Sequence, residues 1–524
     1  MKTVAQTLVE WLKSMGVDVV FGIPGVHTIE LYRALPDSGI RHVTPRHEAS
    51  AGFMADGYSR ASGRFGVALV ITGPGVTNIL TPMAQARADS SPMLVISGVN
   101  RRDTLGRGHG YLHELPDQRA LTRVLGPALH LDDPKSLPGV LAQAGRALTT
   151  GRGGPVHVQI PIELMSAPAP SATALAPPAP SLPDPAKALA YIRAAKAPII
   201  LAGGGCRKAG DALRDLAETM GAPVVLTSNA RGLMHDHPLA IPASPSLQSV
   251  RDLIRNSDLV LVAGSELGPT DYDMYGTGPF EVAQQKLIRI DIDGAQLARH
   301  NAAVTLQADV AALLPKLSPP RPAAGGPERA AATRSAAFAE LTEPYKAEIT
   351  LLESLRDAIP GSIIVGDSTQ VIYAGNLYYS HDLPGGYFNA ATGYGALGFA
   401  MGAAVGAAFA APDRRVLCLV GDGGMMFHPG ELRTAVDEEL DITFVVFNNH
   451  GYGEIAQSML DAGSEVLGCT PTPPDMEAMA NASGLRFDRC SDAELPTLVA
   501  HGKGPRLIEV ERKMVKDFAS NSNP

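Results

Sequence analysis

Two stretches decide the fold: RRVLCLVGDGGMMFHPGEL, residues 414–432, and ITFVVFNNHGYGEI, residues 442–455. Each opens on a continuous apolar run and stops at small polar residues, Gly421-Asp422-Gly423-Gly424 in the first and Asn448-Asn449 in the second. Unbroken apolar runs with a helical stretch between them, here Pro429 to Glu438, predict neighbouring parallel strands covered on both faces. Asp422 and Asn449 are 27 positions apart, room for a turn, a helix and the return strand. A carboxylate and a carboxamide are therefore expected at the same edge of one sheet.

The same alternation extends outward through the chain. Strand candidates are Val19–Phe21, Arg41–Thr44, Val67–Ile71, Met93–Ser97 and Val156–Ile160 in the first third. Ile199–Ala202, Val224–Leu226, Leu259–Ala263 and Leu287–Ile290 follow, then Ile363–Val365, Arg415–Val420, Ile442–Asn448 and Arg506–Val510. Two Pro/Ala-rich breaks, Ala167–Pro185 and Ser318–Glu328, read as linkers. They leave an N-terminal domain at 1–166, a central domain at 186–317 and a C-terminal domain at 340–524. The predicted fold class is α/β, with three doubly wound parallel-sheet domains whose ligands lie at the carboxyl ends of the strands. The first and third blocks share a layout without an evident sequence repeat.

Composition narrows the partners. The hydrophobic share of 45% and charged share of 19% are those of a globular protein rather than a disordered one. A net charge of −9 with no basic block argues against nucleic acid and against an anionic membrane surface. Cys206, Cys418, Cys469 and Cys490 are far apart and form no CxxC pair, which excludes a disulfide framework and a cysteine zinc site and fits a reducing compartment. The charged N-terminus, with Lys2, Glu10 and Lys13, lacks the apolar core of a signal peptide. Gly393–Ala411 approaches the length of a membrane span, but its five glycines read as a tightly packed buried helix. A cytoplasmic protein acting on a small molecule is expected.

Hard dications such as Mg²⁺ take oxygen ligands and share them with substrate phosphates. Asp422, the Asn449 side-chain oxygen and a backbone carbonyl near Gly451 would supply three, and Gly423 and Gly424 would leave backbone amides open to phosphate. GDGG alone reads equally as a Gly-rich turn with a capping Asp; the Asn pair at the next strand end favours the metal. At this point the chain resembles the thiamine-diphosphate-dependent enzymes of the acetolactate synthase and benzoylformate decarboxylase group. That resemblance implies that Gly421, Asp422, Gly423, Gly424, Asn449 and Gly451 form the diphosphate site, with Asp422, Asn449 and the Gly451 carbonyl on Mg²⁺ or Ca²⁺.

Motifs elsewhere carry the resemblance across the chain. TPRHEASAGFMADGYSRASG places Glu48 at a helix start, where on its own it reads as a partner of the helix dipole. The resemblance implies instead that Glu48 shares a proton with the cofactor's aminopyrimidine ring and so activates the thiazolium carbon. Such a site lies where the first domain of one subunit faces the third of another, which implies a homodimer or a dimer of dimers. In GYFNAATGYGALGFAMGAAVGA the resemblance gives the Gly395 carbonyl to the pyrimidine amino group and sets Leu397 beneath the cofactor, where plain core packing is the alternative. VGDSTQVIYAG lends Ser368 and Thr369 to the diphosphate.

Within the group, FGIPGVHTIELYR, LHELPDQ and SELGPTDYD resemble the 5-guanidino-2-oxopentanoate (2-ketoarginine) decarboxylases. The implied reaction is non-oxidative decarboxylation of a 2-oxo acid; the alternative is an acetolactate synthase-type carboligase. The only tryptophan is Trp11, so the Trp that follows NN in many synthases is missing. The segment VAGSELGPTDYDMYG departs from the FAD-binding pattern, so FAD is not expected; Gly203–Gly205 follows a strand and leaves nucleotide binding open, but reads rather as a tight turn. Glu454 would accept a guanidinium by a charge-assisted hydrogen bond, or is a solvated helix-start residue. His27, His113 and Glu114 are the candidate proton donors and orienting groups. The His that benzoylformate decarboxylase carries before its glycine turn is Ile71 here, and His428 and Glu431 read as packing residues.

Overall fold

The computed structural model describes the chain apart from residues 175–181, 273–277, 279–281, 318–321 and 515–524. Parts of both predicted linkers therefore lie outside the described residues. Its strands form three parallel six-stranded sheets. The first contains β1 (Val19–Gly22), β2 (Arg41–Val43), β3 (Gly66–Val70), β4 (Met93–Val99), β5 (Ala128–His130) and β6 (Pro155–Pro161). The second contains β7 (Pro198–Ala202), β8 (Val224–Leu226), β9 (Ala240–Ile241), β10 (Leu259–Ala263), β11 (Leu287–Asp291) and β12 (Val304–Gln307). The third contains β13 (Ile363–Gly366), β14 (Tyr387–Asn389), β15 (Val416–Gly421), β16 (Ile442–Asn448), β17 (Arg486–Cys490) and β18 (Arg506–Glu511).

The first sheet runs β2-β1-β3-β4-β6-β5 and the third β14-β13-β15-β16-β18-β17. Numbered within each domain, these are the same order, so two blocks without an evident sequence repeat share one topology. The central sheet, β12-β11-β10-β7-β8-β9, has the strand order of dinucleotide folds. Its Gly203–Gly205 turn is closed by packing: a Cβ on Gly203 would lie 2.3 Å from the Gly264 carbonyl oxygen, and one on Gly205 2.7 Å from the Gly264 Cα. The second predicted linker ends earlier than expected. Gly326–Glu340 is a helix whose Ala330 and Ala337 are fully buried in the central domain's core.

One hydrophobic core spans the first and third domains, joining Phe53, Met54 and Tyr58 to Phe399, Met401 and Val405. It is built on two helices, Glu48–Ser62 and Phe399–Ala410, which meet backbone to backbone. A Cβ on Gly57 would sit 2.0 Å from the Ala403 oxygen, and one on Gly406 1.9 Å from the Met54 oxygen. The Gly/Ala-rich stretch is thus a buried interdomain helix, as its composition predicted, and among the described residues no helix is long and apolar enough to cross a membrane. At the far end of this contact Arg60, 3% exposed, bonds Asp56 at 2.8 Å and Asp89 at 2.7 Å between the Phe388 and Phe399 rings. Opposing its burial, these two carboxylates hold the guanidinium charged.

A buried polar network underlies the carboxyl edge of the first sheet. Gln118 accepts from the Thr72 hydroxyl (2.7 Å) and the Gly73 amide (3.1 Å) and donates to Ser97 Oγ and the Gly98 oxygen. His157, fully buried on β6, is 2.8 Å from both Ser97 Oγ and Thr122 Oγ1.

Three outcomes are expected. Gly406→Ala should lower stability by roughly 1–3 kcal/mol in denaturant unfolding, because the added methyl overlaps backbone. Gly139→Ala, in a helix with nothing within 4 Å of its would-be Cβ, should be neutral or stabilising. Burial, then nearby Arg119, pushes the His157 pKa down from 6.5 to about 3. The unfolded chain therefore takes up a proton below pH 6.5 that the folded chain refuses, and stability falls on acidification by about 1.4 kcal/mol per pH unit. His157→Gln should flatten the acid limb of the stability profile between those two values.

Candidate active site

The functional side chains gather at the carboxyl edges of the first and third sheets. On the third, β15 ends at Gly421 and runs into a short turn of helix, Asp422–Met425, which no side-chain oxygen caps. Asp422 is 2% exposed and its Oδ1 has no hydrogen-bond partner among the described residues. Burial pushes its carboxyl up, and the backbone amides of Asn449, Gly451 and Gly423 oppose that rise. The paired strand β16 carries Asn448 and Asn449, which part company. Asn448 is structural, donating to Glu509 Oε1 at 2.7 Å and accepting the His450 amide at 3.1 Å. The Asn449 carboxamide takes no protein hydrogen bond among the described residues.

An orphaned buried carboxylate oxygen beside a free carboxamide is a donor set for a hard dication, and a diphosphate can complete its shell. No trio of His, Cys, Asp or Glu converges anywhere among the described residues. The glycines also have a packing reason. A Cβ on Gly423 would lie 2.5 Å from the Tyr452 ring and one on Gly424 2.9 Å from Asp367 Oδ1. Gly451, at φ +152°, has no room either: its Cβ would be 2.1 Å from the Cys469 oxygen.

β13, beside β15, ends in Asp367-Ser368-Thr369. Thr369 N-caps the helix Gln370–Leu377, and its Oγ1 lies 3.8 Å from a would-be Gly421 Cβ, bordering the same turn. Asp367, which the sequence reading passed over, is fully buried and accepts the amides of Ser368 (2.9 Å), Gly398 (3.3 Å) and Ala400 (3.0 Å). It ties the Ser368 turn to the start of the Phe399–Ala410 helix; GDS after an apolar strand, the same pattern as GDG, could have revealed it. Just before that helix Gly395, at φ +78°, opens to solvent, and half-buried Leu397 belongs to none of the hydrophobic clusters. Plain core packing does not account for Leu397. Glu454, exposed in the first turn of Gly453–Asp461, hydrogen-bonds Gln370 from across the edge and so is not simply solvated.

On the first sheet, Glu48 opens its helix at the end of β2, and its Oε2 accepts from Asn78 Nδ2 at 2.9 Å. Asn78 ends the short helix Pro74–Asn78 after β3, in GPGVTN. His27 and His113 are brought together, ring centroids 5.5 Å apart, and the Nδ1 of each is buried without a partner. Burial, then the His113 ring, pushes His27 down. Glu114 has another task. Its oxygens accept the amides of Gly108 (2.8 Å), Gly110 (2.8 Å) and Tyr111 (3.0 Å). Against a slight desolvation, the amides of Tyr111, Gly108, Gly110 and His109 hold its carboxyl below the ordinary range. It holds the loop before His113 through these bonds.

Glu431, read as a packing residue, joins the two domains. It is 1% exposed, accepts the Arg46 amide at 2.9 Å and the Thr434 hydroxyl at 2.7 Å, and so fixes the backbone two residues before Glu48. Its neighbour His428 does pack, with its ring 5.6 Å from both His47 and Phe53. Within the chain no hydrogen bond or ion pair among the described residues joins Glu48 to Asp422, Asn449 or the Gly395 loop.

Comparison with known proteins matches this arrangement domain by domain. Residues 2–121 match the thiamine pyrophosphate enzyme N-terminal TPP binding domain, 185–317 the central domain and 367–510 the C-terminal TPP binding domain. A probable 2-ketoarginine decarboxylase of Pseudomonas aeruginosa is 41% identical, over 94% of this chain and 90% of its own. Acetolactate synthase isozyme 1 large subunit of Escherichia coli is 30% identical over 97% and 93%. The acetolactate synthase large subunit of Parasynechococcus marenigrum is 29% identical over 94% and 84%. Three family domains in the same order, each seated on one of the three sheets, make this chain a member of the thiamine pyrophosphate-dependent enzymes.

Proposed function

We propose that this protein is a thiamine-diphosphate-dependent, non-oxidative decarboxylase of a 2-oxo acid with a cationic tail, 5-guanidino-2-oxopentanoate. The observation that carries the reading is the orphaned Asp422 Oδ1 beside the partner-free Asn449 carboxamide. In this reading Asp422, Asn449 and the Gly451 carbonyl hold Mg²⁺ or Ca²⁺ against the diphosphate, and Ser368 and Thr369 close the other side. The cofactor, when bound, supplies the carbon centre at which the carboxylate is lost. The protein's part is to orient and to manage protons. Leu397 supports the ring and the Gly395 carbonyl accepts from its amino group. Glu48 would exchange a proton with the cofactor's pyrimidine, with Asn78 setting the direction of its carboxylate.

His27 and His113 present two unpartnered ring nitrogens and serve as the proton donors, while Glu114 keeps His113 in place. Glu454 takes the substrate's guanidinium, giving up its bond to Gln370. The similarity to the Pseudomonas decarboxylase supports this choice of substrate.

Two copies of the chain are part of the reading. No hydrogen bond or ion pair among the described residues joins Glu48 to the diphosphate edge of its own chain, and in this reading a second copy brings it there. The exposed large apolar residues support this association. Val26, Ile29, Tyr111 and Leu112 cluster at the first carboxyl edge, and Tyr394, Met426, Phe427, Ile455 and Leu467 at the third. A homodimer or dimer of dimers would cover them. Four buried, unpaired cysteines agree with residence in the cytoplasm.

The first test separates retention from chemistry. Asp422→Ala should lose thiamine diphosphate and metal on gel filtration, whereas Glu48→Gln should retain them and lose turnover by about 10²–10⁴-fold. Near-normal turnover in Glu48→Gln would overturn its role. The second is a substrate panel read by CO₂ release. 5-Guanidino-2-oxopentanoate should exceed pyruvate and benzoylformate in kcat/KM. Glu454→Gln should raise its KM by about 10–100-fold, the worth of one charge-assisted bond. Preference for pyruvate, with acetolactate as product, would establish the carboligase instead.

A further inference from the structure

We infer that Gln85 is a positioning residue that sets the shape of the loop carrying Gly395 and Leu397 from across the boundary between the first and third domains. The inference rests on the proposed role of that loop in holding the cofactor's ring. Gln85 lies on the first-domain helix Leu80–Ala88 and is fully buried. Its Oε1 accepts the Ala396 amide at 3.1 Å, and its Nε2 donates to the Ala390 oxygen at 3.3 Å and to Asp89 Oδ2 at 2.6 Å. One side chain thus bonds both ends of the loop. Asp89, one turn further on, accepts the Thr392 hydroxyl at 2.8 Å between those ends and is itself held by Arg60.

Apart from its own Gly395 amide donating to the Ala390 oxygen at 3.1 Å, the loop has little else to shape it. Ala391 departs from helical geometry, and Gly395 and Gly398 take positive φ. Only Ala390 and Ala396 sit in the hydrophobic core, at the two positions that Gln85 bonds. Gly393, Tyr394 and Gly395 are exposed, and Leu397 lies outside the core. The third domain's own carboxylate, Asp367, begins its work only at Gly398. Between Ala390 and Ala396 the loop's side-chain hydrogen bonds to the rest of the fold come from Gln85 and Asp89 of the first domain, with Asn389 capping locally. A buried amide that loses its partner moves toward water. Without Gln85 the segment 390–396 would shift its exposed side, where Gly395 and Leu397 stand, while the Asp422 and Asn449 edge stays intact.

Gln85→Leu keeps the side chain's bulk and removes both bonds. Backbone hydrogen exchange of the segment 390–398, followed by mass spectrometry on the whole protein without cofactor, reads the clamp directly. Calorimetric titration then compares thiamine diphosphate, which engages loop and metal edge, with inorganic pyrophosphate, which engages the metal edge alone, both with Mg²⁺. The variant should exchange this segment about tenfold faster and bind thiamine diphosphate about tenfold more weakly, with pyrophosphate affinity held within about twofold. Unchanged exchange, or equal weakening of both ligands, would overturn the inference. Thr392→Val, made from the loop side, should act in the same direction with smaller effect and serves if Gln85→Leu does not fold. If the unaltered protein binds no thiamine diphosphate, the proposed function fails, while the exchange result still judges the clamp.

Discussion

Backbone contact between the helices Glu48–Ser62 and Phe399–Ala410 is the constraint on which the rest of the structure depends. With Gly57 against Ala403 and Gly406 against Met54, no side chain stands between them, and the approach is closer than ordinary helix packing allows. Both helices start at functional segments, Glu48 itself and the Gly395–Leu397 loop. Locking the two helices therefore fixes at once two segments to which the proposed function gives a role. The Arg60 ion pairs close the far end of the contact, where a buried cation without both carboxylates would be costly.

Each of the two domains holds the other's working segment. Glu431 of the third fixes the backbone before Glu48 in the first, while Gln85 and Asp89 of the first fix the loop before Phe399 in the third. All are buried polar groups at a domain boundary, where satisfied bonds specify one arrangement and broken ones are expensive. The central domain touches this exchange at two points, where Asn229 donates to Asp89 Oδ1 at 3.3 Å and Arg207 donates to the Arg60 oxygen. Its glycine turn is explained by strand-end packing, and its sheet has a different strand order from its neighbours.

Most of the fold was legible because interior strands of parallel sheets write themselves as continuous apolar runs. The thirteen runs read from the sequence all became strands, twelve of them interior. The five missed, Ala128–His130, Ala240–Ile241, Val304–Gln307, Tyr387–Asn389 and Arg486–Cys490, are all edge strands. An edge strand needs fewer apolar positions: Val304–Gln307 alternates buried and exposed, and Arg486–Cys490 is mostly uncovered. The linker read over Ser318–Glu328 takes in the first turn of the helix Gly326–Glu340, because Pro and Gly mark that turn, and the buried Ala330 and Ala337 lie just beyond it.

Sequence by itself determined which donors end which strands. Asp422 and Asn449 follow apolar runs at a spacing that admits only a neighbouring parallel strand, and Glu48 begins a helix after another. It also determined that residues 393–411 pack closely, since small residues and glycines leave no other use for such a helix. Tertiary structure alone decided what each polar group bonds. Glu114 turned to its own loop, Glu431 and Gln85 reached across a domain boundary, and Gly423 and Gly424 made way for Tyr452 and Asp367. Local sequence records a residue's chemistry and its periodic face. A hydrogen bond between groups hundreds of residues apart depends on the distance between two folded surfaces, which no local pattern encodes.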